Sequence, residues 1–246
     1  MRVRPSPNHD ARPPATPIDT LVLHYTGMPS AEAALERLSA PEAEVSSHYL
    51  LEEDGTLFQL VPDERRAWHA GTSFWRGFTD INSRSIGIEI VNPGHEWGYR
   101  PFPPAQMQAL VALCHDLLGR HPILPENVVA HSDIAPDRKQ DPGELFEFSF
   151  LSENGIGLFP TAVPDLGTGG IVTAPALLGP VRANLAAVGY NVGLTGAPDR
   201  ELAVVLTAFQ RHWRPEAITG AADRGTRARL DALKGLLVSP LASARR

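Results

Sequence analysis

Apolar residues fall into short runs along the first half of the chain and into helical stripes further on. The run at 20–24, Thr-Leu-Val-Leu-His, follows a proline and an aspartate and predicts a buried strand that ends on His24. A short helix is predicted over 31–39. The segments 46–51 and 57–61 flank Asp54-Gly55, a hairpin turn signal, and predict two antiparallel strands. Residues 85–91 alternate, with Ile86, Ile88 and Ile90 on one side and Gly87, Glu89 and Val91 on the other. Glu89 therefore leaves the sheet opposite three isoleucines. Between Pro104 and Gly119 the residues Met107, Leu110, Val111, Cys114, Leu117 and Leu118 recur at helical spacing, with proline opening the helix and glycine closing it. Asn127-Val-Val-Ala130 then repeats the earlier device, a brief apolar strand that delivers His131.

Strands and helices intermingle without a regular βαβ repeat, which predicts an α/β fold with a mixed central sheet flanked by helices. The character of the chain changes after a stretch rich in Gly, Pro and Thr. Beyond it, Leu177 to Val188, Leu202 to Phe209 and Leu230 to Leu236 predict three helices. The expected organisation is a larger domain over 1–160, a join over 161–173 and a small three-helix domain over 174–240. A Gly- and Pro-rich join of this kind lets two parts fold separately.

Composition narrows the chemistry. With 43% hydrophobic and 20% charged residues the chain is globular in type, and its formal net charge of -6 provides no basic field for nucleic acid. A single cysteine, Cys114, excludes an internal disulfide and a thiolate-rich metal site, so any metal must use histidine and carboxylate. No window approaches the ~18 consecutive apolar residues of a membrane span. The N-terminal residues carry positive charge but no apolar region of a secretory signal, and the reading on this basis is a cytoplasmic protein, with a periplasmic or wall-associated one as the alternative if a leader is missing.

The segment His131-Ser-Asp-Ile-Ala-Pro-Asp-Arg-Lys139-Gln-Asp141-Pro-Gly packs a histidine, a lysine and several carboxylates into one proline-bearing loop. Zinc takes imidazole nitrogen and carboxylate oxygen, and a catalytic site keeps three protein ligands and one open position. His24, His131 and Asp141 can supply three, although Asp133 and Asp137 compete for the carboxylate role and spacing does not choose among them. Hydrolysis of an amide further needs a proton-transferring base and a positive group for the oxyanion, roles open to Glu89 and Lys139. A serine or cysteine nucleophile is excluded: the chain has no Gly-x-Ser-x-Gly elbow, and Cys114 sits on a core helix stripe.

Five segments in order carry a resemblance: Val22-Leu-His24-Tyr-Thr26, Ser47-His-Tyr49, Ala67-Trp-His-Ala-Gly71, Ser85-Ile-Gly-Ile-Glu89-Ile-Val-Asn92 and the 131–143 loop. From about residue 6 to 160 the chain resembles the type 2 N-acetylmuramoyl-L-alanine amidases, most nearly an AmiD-like branch, down to the ending Gly155-Ile-Gly-Leu-Phe-Pro160. The resemblance implies zinc on His24, His131 and Asp141, Glu89 as general acid/base and Lys139 against the oxyanion. It also implies a peptidoglycan or anhydro-muropeptide substrate, cut between the muramic acid and L-alanine in wall turnover or muropeptide recycling. His69 is expected in the substrate groove. Trp75, Arg76 and Asn92 are further expected substrate contacts, since a Trp face stacks on sugar and Arg pairs with a carboxylate. His48 is expected to pack beside the strand pair, and His9, His95, His115, His121 and His212 to be structural or exposed. A non-catalytic peptidoglycan-recognition protein is the alternative, which the complete ligand set disfavours. The C-terminal part resembles the peptidoglycan-binding type 1 domain at Val181, Leu185, Gly189-Tyr190, Leu206, Phe209-Gln210, Gly220 and Asp223-Arg-Gly-Thr226.

Overall fold

The computed structural model describes residues 1–237, so the last three positions of the expected helical domain, 238–240, lie outside the described residues. The strands are β1 (Arg2–Val3), β2 (His9–Ala11), β3 (Thr20–Tyr25), β4 (Tyr49–Leu51), β5 (Leu57–Gln59), β6 (Arg65–Ala67), β7 (Ser85–Ile90) and β8 (Val128–Ala130). The helices are α1 (Ala31–Ser39), α2 (Ile81–Arg84), α3 (Gly94–Trp97), α4 (Pro104–Arg120), α5 (His131–Ile134), α6 (Phe148–Glu153), α7 (Pro175–Val188), α8 (Arg200–Trp213) and α9 (Arg224–Leu237). Among the described residues no helix is long and apolar enough to cross a membrane.

Six strands form one mixed sheet in the order β1-β5-β4-β7-β3-β8, and β2 pairs with β6 in a separate ribbon. The 4–5 hairpin is antiparallel with Leu51 opposite Leu57, whereas β3 runs parallel to both β7 and β8. Parallel neighbours need both faces covered. One face is covered by α4: Met107, Leu110, Cys114 and Leu117 pack on Leu21, Leu23, Ile86, Ile88 and Ile90, all buried. This α4 stripe and the isoleucine side of β7 are those read from the sequence.

The second face is covered in two patches. Over β4 and β5, Leu35 and Leu38 of α1 bury Leu50 and Phe58. Ser30 caps α1, its side chain accepting from the Ala33 amide. Over β3 and β8, the C-terminal helices bury Val22 and Val129. Residues 161–173 contain neither helix nor strand, in keeping with a join. The helices beyond it are nevertheless built onto the sheet, because Leu178, Val205, Phe209 and Trp213 share one continuous core with Val22, Trp75, Ile81, Val129 and Ile134. A polar clasp reinforces that core: Tyr190 Oη donates to Asp133 Oδ1 at 2.5 Å, and His212 Nδ1 lies 2.7 Å from Asp133 Oδ2. The expectation of separately folding parts gives way to a shared interior.

Candidate metal centre and active site

Between the two covered patches the second face turns polar. His24 is the penultimate residue of β3 and stands in parallel register beside Glu89 of β7, so both side chains leave the sheet on this face. At the end of β8 the chain turns into α5, whose first residue is His131. Asp133 Oδ2 accepts the Ala130 amide at 2.8 Å and fixes that turn. The Ser132 amide donates to the Asp141 carbonyl at 3.0 Å, which draws the far end of the loop back against its start.

Three ligand atoms converge there. His24 Nδ1 lies 2.9 Å from His131 Nδ1, and each is 3.0 Å from Asp141 Oδ2. All three residues are buried, and their ligand atoms lie within 4.8 Å of one another. A tetrahedral zinc with bonds of about 2.0–2.1 Å sets its ligand atoms roughly 3.3 Å apart, a small opening of this triangle.

The protons decide whether a cation fits. His131 Nε2 lies 3.2 Å from the Ala70 carbonyl, which only accepts, so Nε2 carries the hydrogen and Nδ1 presents a lone pair. His24 Nε2 faces His69 Nδ1 at 3.0 Å, turning Nδ1 of His24 to the triangle. Burial, then the neighbouring His131, lowers the His24 pKa to about 4, so the ring is neutral near pH 7. Two lone-pair nitrogens and an anionic oxygen thus face one another, an arrangement that a divalent cation completes.

The triangle opens into a cavity of about 360 Å³ that Glu89, His69 and Lys139 also line. Glu89 Oε2 is buried, with no hydrogen-bond partner among the described residues. Burial, with Asp141 adding to it, pushes the Glu89 carboxyl well above its ordinary range. A carboxyl so placed can exchange a proton with a reacting group.

Five of the residues expected at the site, with His69 as a sixth, are brought together around this cavity; three others are not. Trp75 is 2% exposed, its ring edge-on to Tyr190 and its Nε1 donating to the Glu126 carbonyl. No face is left for a sugar, so its expected role in binding is corrected. Arg76 faces the C-terminal helices, Nη1 donating to the Val188 carbonyl at 3.0 Å and its amide to the Gly189 carbonyl at 2.9 Å. Asn92 is fully buried, with Nδ2 donating to Arg100 O and Oδ1 accepting from the Gly94 amide. Neither lines the cavity. Of the rival carboxylates, Asp133 points into the clasp with Tyr190 and His212, and Asp137 is exposed to solvent.

Sequence reasoning passed over Arg37 and Arg138, which line the cavity's rim with Tyr25 and Met28. Arg138 also donates to the Ala70 and Thr72 carbonyls, tying the 131–143 loop to the 67–72 segment. Only adjacency to Lys139 pointed to Arg138, and nothing distinguishes Arg37 from an ordinary polar position of α1.

Comparison with known proteins agrees with this geometry. The family profile described as N-acetylmuramoyl-L-alanine amidase matches residues 14–144. The N-acetylmuramoyl-L-alanine amidase AmiD of Escherichia coli is 42% identical over 230 residues, which is 88% of this chain and 82% of the relative. A solved complex of E. coli AmiD with the substrate anhydro-N-acetylmuramic acid-L-Ala-D-gamma-Glu-L-Lys matches with a TM-score of 0.75 at 41% identity, covering 91% of each chain. AmpDh3 from Pseudomonas aeruginosa matches with a TM-score of 0.78 at 32% identity, covering 92% of this chain and 96% of that one. On sequence, fold and coverage together, the chain belongs to the N-acetylmuramoyl-L-alanine amidase family.

Proposed function

We propose that this amidase uses one zinc ion, held by His24 Nδ1, His131 Nδ1 and Asp141 Oδ2, to hydrolyse the amide between N-acetylmuramic or anhydro-muramic acid and L-alanine. The observation that carries the reading is the triangle of three acceptors opening onto Glu89 and Lys139 in a single cavity. Zinc, when bound, supplies Lewis acidity toward water and toward the scissile carbonyl.

The chain's own residues supply the rest. Glu89 takes a proton from the attacking water at Oε2, the oxygen without a partner among the described residues, and returns it to the leaving amide nitrogen of L-alanine. The raised affinity of this carboxyl for a proton suits the first half of that shuttle, the uptake from water. Lys139 places an ammonium at the cavity, where negative charge grows on the carbonyl oxygen in the transition state. Arg37 and Arg138 add positive charge at the rim, which suits a stem peptide bearing carboxylates. A purely recognising protein would have no use for the buried, unpartnered carboxylate beside the ligand triangle.

The substrate class favoured here is the soluble anhydro-muropeptide, the kind of molecule bound in the AmiD complex, and the corresponding place of action is cytoplasmic recycling. The domain reading is that residues 1–160 hold all the chemistry and that the helices after 173 complete the amidase body, with glycan binding an additional capacity of that segment. Mass spectrometry of a defined anhydro-muropeptide treated with the protein, with and without a chelator, tests the reaction. Free peptide and free sugar, lost on chelation and regained with zinc, are expected; cleavage elsewhere, or cleavage untouched by chelation, overturns the reading. Fractionation of the native protein tests the place, and recovery with the cell envelope would contradict it.

A further inference from the structure

Behind His24 lies a row of buried polar groups that the chemistry above does not use. His24 Nε2 is 3.0 Å from His69 Nδ1, His69 Nε2 is 3.0 Å from Ser85 Oγ, and Ser85 Oγ is 2.7 Å from the Ile81 carbonyl. The direction of every proton in the row follows from its far end. A carbonyl has no hydrogen to give, so the Ser85 hydroxyl donates its only one to Ile81 O. Ser85 Oγ must then accept, which puts a hydrogen on His69 Nε2. His69 Nδ1 is therefore a lone pair, and His24 Nε2 must donate to it. The lone pair of His24 is left on Nδ1, facing His131 and Asp141.

The same short segment governs the other histidine. The carbonyl of Ala70, next to His69, accepts from His131 Nε2. Asn82 Oδ1 accepts both the His69 amide at 3.0 Å and the Ala70 amide at 2.8 Å, so one side chain pins both residues. The sheet makes room for the ring: a Cβ on Gly87 would lie 2.5 Å from His69 Cγ. Glycine in the middle of a strand weakens it, and here that cost admits the imidazole.

We infer that His69, ordered by Ser85 and Asn82, is a positioning residue that sets the tautomer and orientation of the His24 ligand, not a contact for substrate. The inference rests on the reading of His24 as a metal ligand. Groups in this relation to a metal-binding histidine typically contribute about 10–100-fold to metal affinity.

The test is zinc affinity, measured by chelator competition on the full chain, together with the absorption spectrum of the cobalt-substituted protein. Three variants are compared with the parent: His69→Leu, which removes both polar atoms; His69→Gln, whose amide can accept from His24 and donate to Ser85; and Ser85→Ala. The inference expects His69→Leu to bind zinc about 10–100-fold more weakly with an altered cobalt spectrum, His69→Gln to restore most of the affinity, and Ser85→Ala to fall between. Affinity unchanged in a folded His69→Leu protein, or His69→Gln as weak as His69→Leu, overturns it. Should His69→Leu fail to fold, Ser85→Ala carries the test alone, and parent-like affinity and spectrum in that variant refute the row. A parent protein that binds no zinc would instead remove the metal reading itself, a different failure.

Discussion

The two faces of the central sheet are made by the same strands, yet over β3 and β7 one is apolar while the other changes from apolar to polar. On the α4 side, β3 contributes Leu21 and Leu23 and β7 contributes three isoleucines, all at 0% exposure. On the opposite side the same strands contribute Val22 and His24, and Gly87 and Glu89. Hydrophobic cover is given up over a narrow strip, and the strip holds the ligands, the proton carrier and the space for His69. The comparison teaches that α1 and the C-terminal helices cover the apolar patches that flank the strip, and that α1 also lines the cavity with Ala34, Arg37 and Leu38. The clasp on Asp133, two residues after His131, joins the C-terminal cover to the short helix that presents a ligand.

Three experiments break or sharpen this contrast. The largest effect is expected from Glu89→Gln, which should keep its metal and lose roughly 10²–10⁴-fold in kcat, the usual share of general acid–base catalysis. Steady-state kinetics with metal analysis checks it, and loss of the metal would show that Glu89 belongs with the ligands instead. Next comes the C-terminal cover. A chain ended at 164 uncovers Val22, Ile134 and Val129 and strips Asp133 of Tyr190 and His212. Leaving a fully buried Val or Ile side chain in water forfeits about 1.5–3 kcal/mol, and several such residues together are a large part of a domain's stability. The shortened chain should therefore unfold or aggregate in denaturation experiments, and a stable, active one would restore the picture of separate domains. The smallest effect belongs to Tyr190→Phe, which keeps the ring against Trp75 and removes one hydrogen bond, lowering stability by about 1 kcal/mol with kcat unchanged.

Much of the site was legible in the sequence because it depends on local rules. Period-two alternation in 85–91 placed Glu89 against the isoleucines, and two apolar runs ending in histidine placed His24 and His131 at strand ends. The choice among Asp133, Asp137 and Asp141 was not legible from spacing, because the direction of Asp133 is set by residues 57 and 79 positions away. Trp75 and Arg76 misled for the same reason: an aromatic and a cation near the groove motifs look available until Tyr190 and the end of α7 meet them. The two- and three-residue strands β1, β2 and β6 are too short to show any period. The shared core was hidden because a helix stripe reports that a face is buried without saying by what. Leu202, Val205, Phe209 and Trp213 of α8 read equally well as the interior of a small bundle.

The central claim is that His24, His131 and Asp141 form one metal site on the open face, and metal content tests it most directly. Purified protein dialysed against buffered zinc should hold about one ion per chain, as three ligands with an open position require. The folded His131→Ala and Asp141→Ala variants should hold essentially none and cleave no muropeptide. Retention of a full equivalent of zinc by either variant, or full turnover by stringently metal-free parent protein, would contradict the account.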